Sequence, residues 1–223
     1  MTKKLLVTAL ARCTLGIILV FLLIFLPAGT LHFPGGWLLM GVLFLPMLIA
    51  GFVMMIKNPS LLEKRLKVDE KQIEQKSVIA ISAVMFIAGF VIAGLDFRFG
   101  WLRLPNFVTI IATVVFLLAY LLYALVLREN TYLSRTVEIQ ENQKVIDTGL
   151  YSIVRHPMYL SSTLLFLSMP FVLGSLYSFA VFLVYPFVIA KRIKYEEQLL
   201  EKELSGYKEY KQKVKYRFLP FVW

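Results

Sequence analysis

Tyr151, Arg155, His156, Pro157 and Tyr159 bring a cation, an imidazole and two phenols to the entrance of an apolar run. Just past that run, Arg192 and Glu196 stand at i and i+4, with Glu197 beside them. Arginine grips a carboxylate or phosphate through a planar fork of donors. A glutamate accepts from hydroxyls or an ammonium, and phenol faces stabilise a cation. Pro157 suits a first helical turn, where its missing N–H costs nothing. The remaining N–H groups of such a turn attract an anion, helped by the helix dipole. Arg192 and Glu196 share a helical face; as a plain ion pair they would contribute only about 0.3–0.5 kcal/mol. Adjacent glutamates cannot face the same way, so one is expected to point at a pocket while the other pairs elsewhere. The whole set suits a charged, carboxylate-bearing ligand.

Other chemistries lack their motifs. There is no GxGxxG, P-loop or HExxH, and no GxSxG nucleophile elbow. The single cysteine, Cys13, lies in an apolar stretch and builds no disulfide framework. Two histidines, His32 and His156, are too few for most zinc or haem sites, and no metal is expected.

The elements that must position these residues are set by hydrophobicity. Of 223 residues 59% are hydrophobic and 17% charged, against about 45–50% and about 25% in soluble domains. The chain is therefore read as an integral membrane protein. Apolar runs at 5–27, 36–56, 77–97 and 106–127 suit spans of about 20 residues. The first has no cleavage site leading to a soluble domain and is expected to stay as a helix. A fifth run, 158–190, is interrupted by Gly174 and Ser175 and predicts a tight helical pair. The expected fold is all-α and polytopic, with about six transmembrane helices, the last two forming a hairpin. Residues 1–127 form an N-terminal four-helix region, and 128–223 carry the chemistry.

Lysine and arginine number three in 1–12, six in 57–76, four in 128–157 and nine in 191–223, so 22 of 24 fall on one side. That asymmetry predicts cytoplasmic termini, and it makes the net charge of +10 a membrane-surface feature with no nucleic-acid partner. Segment 57–76 is expected as a solvated interfacial helix. Pro46, Pro170 and Pro186 are placed inside apolar helices, where neighbours tolerate a kink. The charged tail, with Leu199, Leu200 and Leu204, is expected as an amphipathic helix along the membrane face. Tyr207, Tyr210, Tyr216 and Phe218 are read as interfacial anchors. Asp96, Arg98 and Arg103 mark the opposite side and are assigned no chemistry.

The ordered series VIDTGLYSIVRHPMYLSS, a hydrophobic hairpin, RIKYEEQLL, GYKEYKQKV and RFLP resembles the isoprenylcysteine carboxyl methyltransferase family, a group that includes phospholipid methyltransferases. The resemblance covers roughly 128–220. It implies S-adenosylmethionine in a cytoplasm-facing pocket built from the last helices, the loop before them and the tail. A lipophilic acceptor would arrive from the bilayer, with membrane lipids around it. Carried over residue by residue, Tyr151, His156, Pro157, Met158 and Tyr159 match the family's cofactor-binding stretch, with Arg155 beside them. Gln143, Lys144, Val145 and Ile146 take the place of a strand-like cofactor contact made largely through backbone. Glu196 matches a cofactor-binding acid, with Glu197 adjoining, and Arg192 matches an arginine at the substrate carboxylate or reacting end. Ser161 stands where many relatives have glycine.

Two rivals come from other classes. Membrane reductases of the sterol reductase type carry a similar RHPNY-like string and use NADPH, commonly with a Gly-Glu pair after the tyrosine. Here Leu160, Ser161 and Ser162 follow, without an acid. A small transporter or scaffold would place ionisable residues near mid-membrane, whereas the four long spans are nearly free of them past Arg12.

Overall fold

Runs of Leu, Ile, Val and Phe can hide their backbone polar groups from lipid only as helices. The computed structural model describes residues 3–67, 73–136 and 138–223 and contains no strand among them. In chain order the helices are α1 (Lys3–Ala28), α2 (Pro34–Lys57), α3 (Pro59–Leu66), α4 (Ile73–Phe99), α5 (Asn106–Glu129), α6 (Pro157–Val172), α7 (Leu176–Phe182), α8 (Tyr185–Glu203) and α9 (Tyr207–Lys213). A single 3₁₀ turn, Gly149–Ser152, precedes α6.

Five stretches are long and apolar enough to cross a membrane: α1, α2, Gln75–Phe99, α5 and Leu176–Glu203. Their outer faces leave Leu15, Phe52, Val84 and Ile110 more than half exposed, as lipid-facing side chains should be. The hairpin predicted around Gly174 and Ser175 forms. Its first arm, α6, has 16 residues, short of the about 20 that a full span uses. The turn still reaches the far end of the bundle. There the Ser175 hydroxyl donates to Asp96 at 2.6 Å, Asp96 also accepts from the Leu102 N–H, and the Ser178 hydroxyl donates to the Gly89 carbonyl. Asp96, assigned no chemistry, thus anchors the hairpin turn.

Pro46 and Pro170 lie inside helices as expected, but Pro186 does not. The returning arm breaks at Leu183–Val184, and Pro186 sits in the first turn of α8, where it removes no bond. The expected solvated helix in 57–76 is also corrected. Residues 68–72 lie outside the described residues, but α3 is bound, not free. Asn58 caps it by accepting from the Leu61 N–H, Leu61 and Leu62 are buried, and Arg65 bonds the Tyr123 hydroxyl and the Ser134 carbonyl. The basic connections accordingly meet at one end of the bundle, where Lys64, Arg65 and Lys67 bond Thr131, Ser134 and Glu138 and the tail covers the start of α6.

The core is aromatic and aliphatic. Ile24, Phe116, Phe182 and Ile193 are wholly enclosed, and Phe86 meets the Phe166 ring edge-on at 4.8 Å. Helices α1 and α4 approach so closely that a Cβ on Gly94 would lie 2.5 Å from the Ile24 carbonyl oxygen and 3.0 Å from the Ala28 nitrogen. Backbone cannot swing aside as a side chain can. Gly94→Ala is therefore expected to destabilise the bundle by about 1–3 kcal/mol. Thermal unfolding in detergent micelles would read this as a lowered Tm, and an unchanged Tm would contradict the close approach.

Candidate active site

At the basic end, the loop after α5, the start of α6, the last turns of α8 and α9 enclose a cleft. It holds about 850 Å³ of empty space, part of it open to solvent. Each wall has a local cause. The loop turns at Glu141–Asn142, where Asn142 adopts φ +56° and the Gln143 side chain accepts from the Gln140 N–H at 2.9 Å. Segment 143–146 then lines the cleft without forming a helix or strand. Next, the Glu129 carboxylate at the end of α5 accepts from the Leu150 N–H and the Thr148 hydroxyl, capping the 3₁₀ turn. Gly149 holds φ +51° there, and a Cβ would collide with that carboxylate. The turn buries Tyr151, whose hydroxyl accepts from Asn130 at 3.0 Å and whose carbonyl accepts from Tyr210 at 2.7 Å.

A second wall is a chain of side chains across α6 and α8. The Tyr159 hydroxyl donates to Glu196 and accepts from Arg192 Nε at 2.9 Å. The His156 ring stacks on Tyr159, with Nε2 3.3 Å from Glu197 and Nδ1 4.0 Å from Glu196. Arg192 also donates to the Arg135 carbonyl at 2.9 Å. One α8 face thus presents an acid and a cation, joined through a phenol, to the same cleft.

Of the residues expected at a site, Gln143, Lys144, Val145, Ile146, Tyr151, Arg155, His156, Met158, Tyr159, Arg192 and Glu196 line this one cleft. Pro157 and Glu197 do not; both are buried behind the wall. Glu197, 3% exposed, is the acid that pairs elsewhere. It accepts from Arg155 Nε at 2.7 Å and Arg217 Nε at 3.2 Å, with Lys211 at 3.9 Å. Arg155 is likewise held by protein, donating also to the Val214 and Lys215 carbonyls at 2.6 and 2.8 Å. The expected anion cradle at the start of α6 is narrow. The Tyr159 and Leu160 N–H groups donate to the His156 carbonyl, and those of Arg155 and His156 donate to Tyr216 and Arg217. Ser161 costs little space, because its fully buried hydroxyl donates to the Met158 carbonyl within α6.

The tail differs most from expectation. Tyr207 and Tyr210 are no interfacial anchors: with Leu204 and Val214 they form a buried cluster against Ile139, Val145 and Leu200 that closes the cleft. The same stripe turns Leu199 and Leu200 toward the cleft. Phe218 is buried in the main core, and Trp223 packs edge-on against it. The spacing 204, 207, 210, 214 is a helical stripe and could have shown that this face needs a partner. Burial pushes the Tyr151, Tyr207 and Tyr210 phenols up, so they stay neutral donors. The Tyr207 hydroxyl is buried without a hydrogen-bond partner.

Two substitutions test this framework. Glu197→Gln strands buried cations, at a cost of about 3–5 kcal/mol. The tail should loosen, seen as faster hydrogen exchange at the Arg155 and His156 amides, and unchanged protection would count against the network. Gly149→Ala, strained at positive φ by about 1–3 kcal/mol, should lower the Tm and raise protease cleavage within 141–152; a wild-type digest would refute it.

No curated protein matches this sequence. The family model described as phospholipid methyltransferase matches residues 108–206, from the first turn of α5 to the residue before α9. That segment carries Tyr159, Arg192 and Glu196 and the loop wall of the cleft. That stretch, rather less than half of the chain, is what is similar to the phospholipid methyltransferases.

Proposed function

We propose that the cleft binds S-adenosylmethionine and directs its methyl group to a lipophilic acceptor at the cytoplasmic membrane face. The observation that carries this reading is the Glu196–Tyr159–Arg192 chain, which sets an acid and a cation one helical turn apart on the cleft wall. The residues fit such a cofactor in three respects. Glu196 offers acceptors for ribose hydroxyls or an ammonium. Val145, Leu199, Leu200 and Leu204 supply an apolar surface for a flat base. The orphaned Tyr207 hydroxyl is a buried donor that a polar ligand would satisfy.

When bound, the cofactor supplies an electrophilic methyl on a sulfonium, and the protein's part is proximity and alignment. Tyr159 fixes the Glu196 carboxylate and the Arg192 guanidinium relative to one another. Arg192 stabilises negative charge at the acceptor and holds the loop by bonding the Arg135 carbonyl. The tail cluster keeps water from the closed side. A carboxylate acceptor needs no base; an amine must lose a proton. The acceptor class includes an isoprenylcysteine-like carboxylate or another membrane lipid. Because the basic connections gather at the cleft end, that end faces the cytoplasm, with both termini there. The reading assigns the protein to the cell inner membrane.

Purified protein should bind S-adenosylhomocysteine and not NADPH in equilibrium titration. Glu196→Gln should weaken S-adenosylhomocysteine by about tenfold or more, as one charge-assisted hydrogen bond of about 1.5–3 kcal/mol implies, with Tm retained. NADPH binding in its place would establish the reductase reading. Methyl transfer from labelled S-adenosylmethionine into a fractionated lipid extract would then identify the product class.

A further inference from the structure

Among the described residues, two buried side-chain atoms have no hydrogen-bond partner: Gln75 Oε1 and the Tyr207 hydroxyl. Gln75 sits on α4, donates its amide N–H to the Arg192 carbonyl at 3.4 Å, and is not part of the cleft lining. Tyr207 is part of it. It is also the first residue past the segment that the family model matches. Gly206, at φ +83°, turns the chain from α8 into α9 and delivers Tyr207 to this face. Three residues on, Tyr210 belongs to the same buried cluster, but its hydroxyl donates to the Tyr151 carbonyl at 2.7 Å. Two phenols of one short helix thus differ: one serves the fold, and the other is left unanswered.

Neither glutamate of the α8 pair bonds the Tyr207 hydroxyl. Glu196 accepts from Tyr159, and Glu197 from Arg155 and Arg217. Burial, then the charges of Glu197 and Glu196, push the Tyr207 phenol up, so it keeps its proton. A neutral phenol donates one O–H and accepts through its oxygen. Burying such a group without a partner is costly, and folded chains seldom do so without an answering group. The surroundings of Tyr207 indicate which part of a ligand would supply that group. With Leu204 and Tyr210 it packs against Ile139, Val145 and Leu200, the apolar side of the cleft that suits a flat base. An apolar slot with a few well-placed polar groups is how a pocket fixes a ring's orientation. We propose that the Tyr207 hydroxyl hydrogen-bonds the nucleoside half of S-adenosylmethionine, making α9 part of the ligand site. The inference rests on the methyl-donor reading of the cleft and names a further residue that recognises the donor.

Thermal unfolding and equilibrium titration of the full chain in micelles test it. Without ligand, Tyr207→Phe should unfold at or above the wild-type Tm, because it deletes an unanswered buried group. Tyr210→Phe deletes a bond that is made, and should unfold at a lower temperature. Tyr207→Phe should bind S-adenosylhomocysteine about fivefold or more weakly than the wild type, as loss of one neutral hydrogen bond implies. 5′-Methylthioadenosine, which lacks the amino-acid end, should lose the same factor. A lowered Tm or a failure to fold in Tyr207→Phe would reveal a structural partner for the hydroxyl and overturn the proposal. Unchanged affinity for S-adenosylhomocysteine overturns it too, as does a loss that spares 5′-methylthioadenosine. The wild type reports the underlying reading separately: no S-adenosylhomocysteine binding there removes both readings, whereas wild-type binding matched by the variant removes only this one.

Discussion

A single buried carboxylate organises the basic end of this protein. Glu197 is buried and accepts from Arg155 and Arg217, with His156 and Lys211 close by. Charges removed from water at such cost persist only when several partners compensate them. Those partners come from different elements: Arg155 and His156 precede α6, Lys211 lies on α9, and Arg217 lies in the extended tail. Satisfying Glu197 therefore requires all three to converge. The tail cannot lie along lipid, because its carbonyls at 214–217 are needed by Arg155 and by the two amides at the helix start.

This explains why the two adjacent glutamates divide their work. Neighbours on a helix point about 100° apart, so α8 turns Glu197 inward to the tail and Glu196 sideways to the cleft. The inward residue fixes the rotation of α8, which fixes where Glu196 and Arg192 point. Tyr159 completes the arrangement from α6, bonding both. The cleft wall is thus held by an ionic core behind it, and its preorganisation does not depend on a ligand.

The bundle was legible because lipid allows so few options: long apolar runs must be helices, and the Gly174–Ser175 break had to be a turn. The cleft wall was legible where residue type and helical spacing coincide, as in Arg192 and Glu196, and in the RHPMY string. What escaped was tertiary partnership. Tyr207 and Tyr210 look like interfacial anchors because an aromatic residue near a membrane satisfies that description whether it faces lipid or protein. Arg155 looked like an anion ligand because a sequence cannot show that two backbone carbonyls sixty residues on already claim it. The start of α6 resembled an open cradle until the His156 carbonyl took two of its donors. Asp96 seemed idle because its partner, Ser175, becomes a neighbour only once the hairpin folds.

That last contact bears on how the protein is made. The hairpin's first arm is shorter than a full span and its turn carries two serine hydroxyls, so it is poorly suited to enter lipid alone. Asp96 and the Gly89 carbonyl satisfy those hydroxyls, and both belong to a helix synthesised earlier. The order of translation thus presents a finished docking surface before the arm that needs it emerges. Insertion of the hairpin becomes a templated event, in which the N-terminal helices serve as its intramolecular receiver.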